Sequence, residues 1–212
     1  MAAATTKTPK PMILKPIQRM HVTCVLVGIR ALVQHAWDEK AREMMRQKQQ
    51  EGVKTKNRDL RDPAAEAEAA CYKTVDGKYG IYIMAIKKAI ILSAHKDLGI
   101  DRTLVRKALF IVCDDPNLVV PFLDQKTKYR VEEDMVRVGQ GTAALRYRPY
   151  WDNWSVRVTF ELDTALLQTK AFLTLVDWAG SRQGIGEMRP EKDGEYGRFK
   201  IDMTQKIIEK KV

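Results

Sequence analysis

The sequence has few of the features that mark a metalloprotein, a disulfide-rich protein or a membrane protein. Cys24, Cys71 and Cys113 are its only cysteines, and only three histidines are present. The cysteines are odd in number and widely spaced, so no CxxC zinc pair or disulfide framework is expected. No apolar run approaches the ~20 residues that span a bilayer. We therefore expect reduced thiols, no metal, no cofactor, no membrane partner and a cytoplasmic location, which is the host cytoplasm for a phage protein.

Acidic residues are also in the minority. The 212 residues include 27 Asp and Glu against 37 Lys and Arg, which gives a net charge of +10. This balance favours a polyanionic partner such as nucleic acid or an anionic surface. The alternative, basic charge with no special partner, stays open at this point. Residues 1–16 lack the apolar stretch of a secretory signal and are predicted to form a flexible basic leader.

Three segments alternate between apolar and polar residues, as a strand with one buried face does. They are residues 19–28, 154–162 and 198–203. Helical periodicity over residues 83–99 follows the first segment, and a second helix over 164–178 separates the other two. The order predicts an α+β protein with a ferredoxin-like (βαββαβ), RRM-like core, in which an antiparallel sheet carries both helices on one face.

Local signals predict where these elements end. Gly99 and Gly180 stand where helix C-caps favour glycine, and Asp163 or Thr164 can cap the second helix. The turn sequence DDPN separates two short predicted strands, "RKALFIVC" and "LVVPFL".

The domain organisation follows from this pattern. We expect one domain over residues 17–203, with insertions at 34–80 and 124–150, and a charged tail at 204–212. The first insertion is basic and is predicted to contain a helix near residues 38–50 and a second short helix, "AAEAEAACY". Asp76-Gly77 then suggests a hairpin. The second insertion is charged and rich in turn residues.

A glycine-rich loop, "GSRQGIGEMRPEKDGEYGRF", precedes the last predicted strand. It lacks the G-K-[ST] of a Walker A loop and the GxGxxG of a dinucleotide fold. Glycine lets backbone N–H groups approach a phosphate closely, and nearby cations add attraction. The candidate binding residues of this segment are Arg182, Gly184, Gly186, Arg189, Lys192, Gly194, Gly197, Arg198 and Lys200.

This loop resembles the glycine-rich loop of the RAMP superfamily, the CRISPR-associated proteins that bind guide RNA. The shared pattern is a GxG, a charged spacer and a second glycine pair before the final strand. Gly184 and Gly186 match the first pair, whereas Gly194 and Gly197 form GxxG in place of the usual GxG. The resemblance implies a ferredoxin-like fold and binding along an RNA backbone, often by several subunits side by side.

The chain also resembles a group of small bacteriophage proteins. The shared segments are His35-Ala36-Trp37 with Lys40, residues 133–139 with 146–148, and residues 184–199. This likeness spans most of the chain and implies a viral or prophage setting, but it brings no established activity.

The polar face of the predicted sheet is the next candidate surface. In the ferredoxin-like order the last strand lies beside the first, and the first beside the third. Arg198 and Lys200 are then predicted beside His21 and Thr23, which lie beside Arg157. Such a basic strip suits a sugar-phosphate backbone, although the aromatic residues that stack bases in an RRM are missing from these positions. An ordinary solvated face is the alternative.

Two further segments combine basic residues with a plausible contact surface. Arg42 and Arg46 belong to the basic insertion, which can order on a phosphate backbone. Arg146, Tyr147 and Arg148 begin "RYRPYWDNW", where rings can stack on bases and Arg can pair with phosphate. Trp154 is assigned to the buried face. A solvated helix for the first segment and packing rings for the second are the alternatives.

Catalysis is not expected from this sequence. His21 is the one histidine placed on the polar face, yet no nucleophile or paired base accompanies it. A metal-independent ribonuclease that uses His21 is the minor alternative. The main prediction is a protein that binds single-stranded nucleic acid, RNA ahead of DNA, without sequence preference, and that oligomerises along the strand. The alternative is a phage assembly or counter-defence protein that acts through a protein partner.

Overall fold

A computed structural model of the chain describes residues 16–36, 61–138 and 142–212, which fold into a mixed α+β arrangement with antiparallel sheets. In chain order the elements are β1 (Arg19–Gly28), β2 (Leu32–Val33), α1 (Pro63–Ala69), β3 (Gly80–Tyr82), α2 (Ile83–Leu98), α3 (Arg102–Ala108), β4 (Leu109–Val112), β5 (Val119–Pro121), β6 (Arg130–Val138), β7 (Thr142–Trp151), β8 (Ser155–Asp163), α4 (Thr169–Trp178), β9 (Phe199–Ile201) and β10 (Ile208–Lys211).

The main sheet has the order β10-β1-β8-β4, and β9 also pairs with β1. Each of these pairings is antiparallel. The last strands therefore lie beside the first, and the first lies beside β8, as the sequence pattern predicts. The boundaries of β1 agree with the predicted strand because its alternate residues Val22, Cys24 and Leu26 are buried.

The core lies between one face of this sheet and the helices α2 and α4. Phe160 of β8 and Phe172 of α4 are fully buried and pack edge to face, with ring centroids 4.9 Å apart. Ile86 and Ile90 of α2 are also fully buried, at the spacing of one helical turn. Burying an apolar side chain of this size stabilises the folded state by about 2 kcal/mol. These contacts therefore hold the layer of two helices against the sheet.

The end of α2 agrees with the prediction. Gly99 has a φ of 66° and its N–H donates to the carbonyl of His95. The N–H of Ile100 then donates to the carbonyl of Ala94. This left-handed cap favours glycine because a Cβ is strained in that conformation.

The predicted start of the second helix and its predicted glycine cap are wrong, whereas its end at Trp178 agrees with the prediction. The helix α4 begins at Thr169, and Asp163 instead closes a turn by accepting the N–H of Ala165. Gly180 does not end the helix, since it lies inside a π-helical turn over Ala179–Gln183. Glycine is required there for another reason, because a Cβ on Gly180 would lie 2.1 Å from the carbonyl oxygen of Phe199.

The two short strands beside DDPN also differ from prediction. Residues 106–108 end the helix α3, which Asp101 caps by accepting the N–H of Thr103, so the strand is only Leu109–Val112. The segment "LVVPFL" does contain a strand, β5, but β5 pairs with β3 in a separate two-stranded sheet. Pairing partners of such short strands depend on distant residues that local periodicity does not include.

The second insertion is a long β-hairpin rather than a turn-rich loop. The strands β6 and β7 pair over nine residues, and β2 adds a third strand to the sheet β2-β7-β6. Opposite charges face one another across the hairpin, with Asp134 opposite Arg146 and Glu132 opposite Arg148. Such cross-strand pairs stabilise an antiparallel ladder. The predicted charged tail likewise differs, since residues 208–211 form the edge strand β10.

The first insertion is described only from residue 61 onward. The predicted helix near residues 38–50, with Arg42 and Arg46, lies outside the described residues. The short helix is confirmed as α1, and Asp62 caps it by accepting the N–H of Ala64. The turn at Gly77 is also confirmed, with Lys73 paired to Tyr79 across it. In the described ranges, no helix is long and apolar enough to cross a membrane.

Candidate nucleic-acid interface

The glycine loop, residues 184–198, folds back on the protein's own backbone. Gly184, Gly186 and Gly197 have φ values of 65°, 79° and 65°. A Cβ on Gly197 would lie 1.7 Å from the carbonyl oxygen of Ile185, and one on Gly194 would lie 1.8 Å from that of Met188. Such distances are far below any contact a side chain can make. These glycines therefore allow segments of the loop to pack against each other and against β2.

The amides of this loop are largely engaged inside the protein. The N–H of Gly184 donates to the carbonyl of Ala179, that of Gly194 to Arg189, and that of Gly197 to Ala31, at 2.8–3.1 Å. A donor that already has a buried acceptor is not available to a phosphate. The expectation that the N–H groups of these three glycines bind a phosphate is therefore wrong. Their role is structural.

Arg189 stabilises the same loop from inside. Its guanidinium donates to the carbonyl of Gly186 at 2.7 Å and to the carboxylate of Glu191 at 2.7 and 3.0 Å. Lys96 of α2 also reaches Glu191, at 3.3 Å. Burial raises the pKa of the Glu191 carboxyl, but these two cations outweigh it and lower the pKa. Glu191 therefore joins the loop to α2 through Lys96, while Arg189 ties two parts of the loop together and is not a free cation.

One end of the open sheet face, opposite the helices, gathers three of the predicted binding residues. Lys200 lies across from Val27 of β1, and Arg157 of β8 lies across from Val25, two residues along the same face. Arg198 directly precedes β9, and its carbonyl accepts the N–H of Ile29. Adjacent strands thus bring Arg157, Arg198 and Lys200 together, as expected for a surface that contacts a phosphate backbone.

Two more cations adjoin this end of the sheet. Arg30 and Lys192 are exposed and line a groove together with Met188 and Tyr196, and the acidic residues Asp193 and Glu195 line the same groove. The N–H of Arg30 lies 3.4 Å from the carbonyl oxygen of Arg198. Sequence reasoning missed Arg30, although it directly follows the corner where β1 ends and the last strand returns. We define the basic patch as Arg30, Arg157, Lys192, Arg198 and Lys200.

The cations of the basic patch make few ion pairs in the described part of the chain. Among the residues that the structure describes, the only ion pair within the patch joins Arg198 to Glu195 at 3.6 Å, and the Glu195 side chain is 75% exposed. Exposed pairs of this kind contribute little. The Nε of Arg198 is buried without a hydrogen-bond partner in the described residues. The patch therefore keeps most of its cations out of ion pairs, although Asp193 and Glu195 line the same groove.

The predicted strip through His21 is wrong. His21 lies across from Glu161, with Nε2 3.2 Å from the carboxylate, and Thr23 hydrogen-bonds Thr159 at 2.8 Å. On the other side, β10 places Lys210 across from His21. The physical reason is that β9 is only three residues long. The chain then turns and forms β10, which takes the position that the prediction gave to Arg198 and Lys200.

The open face is also not free of aromatic residues. Phe110 of β4 lies across from Glu161 and is 49% exposed, and the ammonium group of Lys87 lies 4.6 Å from its ring centroid. The expectation concerned the neighbouring positions on β1, β8 and the last strand, and Phe110 lies outside them. Phe110 is on the edge strand β4, and it lies in the same row across the sheet as Glu161 and His21.

The segment "RYRPYWDNW" is mostly internal. Trp151 is fully buried and packs against Tyr79, Phe122 and Tyr129 with centroids 4.8–5.1 Å apart. Tyr150 is also buried, as is Trp154, so the packing interpretation is confirmed for these rings.

The three binding candidates of this segment have different environments. Arg148 is 7% exposed and pairs with Asp134 at 3.2 Å, so it is not accessible to a ligand. Arg146 is exposed, and Tyr147 is half-buried with the Arg61 guanidinium 5.4 Å from its ring centroid. Arg182 lies elsewhere, in the π-helical turn after α4, where it stacks on Trp178 at 3.8 Å.

No protein-family model matches the chain, and no curated protein matches it. Among solved structures, the chain is similar to a chain in the "Cryo-EM structure of the Type III-B Cmr-beta bound to cognate target RNA". The two are 11% identical with a TM-score of 0.48, and the similarity covers 92% of this chain and 61% of that chain. This chain therefore spans less than two thirds of the length of the protein it matches.

Proposed function

We propose that this protein binds single-stranded nucleic acid, RNA ahead of DNA, through the basic patch. The observation that carries the proposal is that five cations from β8, β9, the β1–β2 corner and the glycine loop lie together and make one ion pair among the described residues, that of Arg198 with Glu195. Phosphates attract such charges without regard to sequence, and binding releases condensed counterions. The net charge of +10 acts in the same direction over longer range.

The surroundings of the patch favour a single strand. Its cations lie on an open sheet face and beside a groove that also contains Tyr196. A groove of this kind follows a flexible backbone, and a ring beside it offers a surface for a base. The preference for RNA rests on the resemblance of the glycine loop to that of the RAMP superfamily.

The expected salt dependence follows from the number of cations. Five phosphate contacts on a single strand give a slope of log K against log salt of about −3.5, from roughly −0.7 for each contact. Raising the salt from 50 to 200 mM would then weaken binding about 100-fold. A protein that binds RNA through apolar contacts alone would show a much smaller loss.

Cleavage is not part of the proposal. His21, the one histidine predicted to act on RNA, pairs with Glu161 at 3.2 Å and lies at the other end of the open face from the patch. A gel of labelled RNA after long incubation with the protein checks this point. Intact RNA is the expected result.

The direct test compares three labelled ligands by fluorescence anisotropy at 50 mM salt: a 20-nucleotide uridine strand, the matching thymidine strand and a 20-base-pair RNA duplex. We expect the affinity to fall in that order. Protein purified without nuclease should also carry RNA and show a raised ratio of absorbance at 260 to 280 nm. If none of the three ligands binds at 50 mM salt, the proposal is wrong.

A second candidate function involves a protein partner. Its support is the exposure of three apolar side chains on the open face, Phe110, Val112 and Ile208, which are 38–52% exposed. Oligomerisation along a strand and a phage setting stay predictions. Light scattering after nuclease treatment in 1 M salt separates the two functions: a monomer fits nucleic-acid binding, and a stable oligomer or a stoichiometric partner favours assembly.

A further inference from the structure

The ring of Phe110 is open to solvent on the same sheet face as the basic patch. Phe110 is 49% exposed and belongs to β4, the edge strand that pairs with β8. The ammonium group of Lys87 lies 4.6 Å from the ring centroid. Lys87 belongs to α2, which packs on the other face of the sheet, so its side chain reaches the ring past the edge of β4. The ring therefore contacts a cation and still has surface available for a ligand.

The neighbours of Phe110 across the sheet are polar. Glu161, His21 and Lys210 lie in the same row, on β8, β1 and β10. The Glu161 carboxylate lies 3.2 Å from Nε2 of His21 and 3.8 Å from the guanidinium of Arg19. The acid of this row thus has two basic partners, and Lys210 adds a further positive charge. A phosphate backbone can therefore pass over this row.

The exposed apolar side chains of this face do not form one continuous patch. Val112 follows Phe110 on β4, whereas Ile208 lies on β10, with β8 and β1 between them. In that row Thr159 and Thr23 separate the two, and their hydroxyl groups hydrogen-bond each other at 2.8 Å. A protein interface needs a continuous apolar core, whereas a nucleobase stacks on a single ring and leaves its polar edges in water. The arrangement therefore favours a nucleic acid over a protein as the occupant.

The ring lies within reach of a strand that is held at the patch. Arg157 and Glu161 are four residues apart on β8, which is about 13 Å along the strand. Phe110 lies across from Glu161 on the next strand, so it is roughly 14 Å from Arg157. Single-strand sites on small β domains take about 4–16 nucleotides, which is ample for this distance.

We infer that Phe110 stacks on a base of the strand that the basic patch holds, so that the strand runs along the open face from the patch to the edge at β4. The inference rests on the proposed function, since the patch supplies the phosphate contacts. Every base has a π-face, so this contact requires a base without selecting one. Lys87 then lies beside the stacked base, where it can attract a neighbouring phosphate.

The test separates base contacts from backbone contacts. It compares a labelled 12-nucleotide uridine strand with a 12-unit abasic strand of the same ribose-phosphate backbone, by anisotropy at 100 mM salt. Phe110→Ala should weaken binding of the uridine strand about tenfold, the size of one lost stacking contact, and binding of the abasic strand less than about twofold. Because no charge is removed, the slope of log K against log salt should stay that of the natural protein.

Two control variants assign the effect to the ring. Val112→Ala removes an exposed apolar side chain from the same strand and the same face, and should change the affinity for the uridine strand less than about twofold. Phe110→Trp keeps a stacking ring and should keep most of the affinity. The abasic strand also shows whether Phe110→Ala is still folded, because the patch binds it through phosphates alone.

The outcomes separate this inference from the proposed function. Equal losses for the two strands in Phe110→Ala, or no loss for either, overturns the inference and leaves binding at the patch intact. If the natural protein binds neither strand, the proposed function fails and the inference fails with it. If Phe110→Ala binds both strands normally but changes from an oligomer to a monomer in light scattering, the inference is overturned in favour of a contact with a second copy of the chain.

Discussion

The β6–β7 hairpin and the basic patch both place arginines on neighbouring strands, but their charges are compensated very differently. In the hairpin, Arg130 pairs with Asp152 at 3.1 Å and Arg148 pairs with Asp134 at 3.2 Å. In the described residues of the patch, the one ion pair is that of Arg198 with an exposed glutamate at 3.6 Å. The register of the strands decides which cations meet an acid across the ladder and which stay free.

This difference teaches that a run of basic residues is not by itself a binding surface. "RYR" and "RFK" have the same alternation in the sequence. In the first, Arg148 is 7% exposed and belongs to the hairpin's internal packing. In the second, Arg198 and Lys200 lie on an open face. Only the free cations contribute to attraction for a polyanion at close range.

The largest expected effect is a loss of stability when the buried ion pair of the hairpin is broken at Arg148. Arg148→Ala leaves Asp134 half-buried beside Tyr150, whose hydroxyl donates to it at 2.8 Å. Removing one partner of a buried pair costs about 3–5 kcal/mol of unfolding free energy, which urea denaturation measures. Arg130→Ala is the control, since the Arg130 side chain is 41% exposed and its loss should cost less than about 1 kcal/mol. Equal losses of unfolding free energy in the two variants would contradict the distinction between a buried and an exposed arginine pair.

The glycine loop gives the next largest effect. Gly197→Ala places a Cβ 1.7 Å from a carbonyl oxygen at a φ of 65°, so we expect a loss of about 3 kcal/mol from overpacking and strain together. Gly77→Ala is the control, because it has a φ of 82° but nothing within 4 Å of the new Cβ. It should cost about 1 kcal/mol. A fully stable Gly197→Ala protein with weakened RNA binding would instead restore the phosphate-cradle interpretation.

A smaller effect distinguishes a patch arginine from one outside the patch. Arg30→Ala should weaken binding of the uridine strand about threefold at 150 mM salt, since it removes one of the five cations of the patch. Arg182 is exposed but stacks on Trp178 on the helical side of the sheet. Arg182→Ala should therefore change the affinity by less than about twofold. Anisotropy titrations of both variants check this, and the reverse ranking would move the interface to the helices.

The smallest expected effect is the pH dependence of the stability that Glu68 of α1 contributes beside the hairpin. Burial raises the pKa of the Glu68 carboxyl, but hydrogen bonds from Lys73, Tyr129 and Tyr79 outweigh it and lower the pKa below 4.5. The unfolded chain then binds more protons, so this stabilisation is complete above pH 4.5 and is lost as the pH falls through the folded pKa. It is below about 1 kcal/mol because the Glu68 side chain is 38% exposed.

Glu68→Gln tests that sign by urea unfolding at pH 6 and pH 3.5. The variant should be less stable than the natural protein at pH 6, and this difference in unfolding free energy should narrow at pH 3.5, because Glu68 of the unfolded chain then binds a proton. A gap that widens as the pH falls would show that the carboxyl has a raised pKa.

The parts of the fold that the sequence predicts are those with local signals. The long strands β1 and β8 follow from alternate buried residues, and the end of α2 follows from Gly99. The hairpin β6–β7 was missed because its outward face mixes charges with Val131 and Met135, which are 40% and 77% exposed, so no buried face marks it. The short strands β5 and β10 take partners that only the tertiary structure decides.

The candidate site was predictable only in part, for the same reason. The sequence singled out Arg157, Arg198 and Lys200, and the sheet brings them together. It also singled out His21 and Arg148, each of which has an acidic partner that depends on the strand register. Charge and alternation identify residues that can bind a phosphate, but cross-strand neighbours decide which of them are free.

The most direct test of the central claim is the salt dependence of RNA binding for the natural protein and two charge-matched variants. Arg198→Ala with Lys200→Ala removes two cations of the patch, while Lys126→Ala with Lys128→Ala removes two exposed cations elsewhere. We predict that the slope of log K against log salt falls in magnitude by about 1.4 in the first variant and changes little in the second. Equal slopes in all three proteins would contradict the claim that the basic patch binds the nucleic acid.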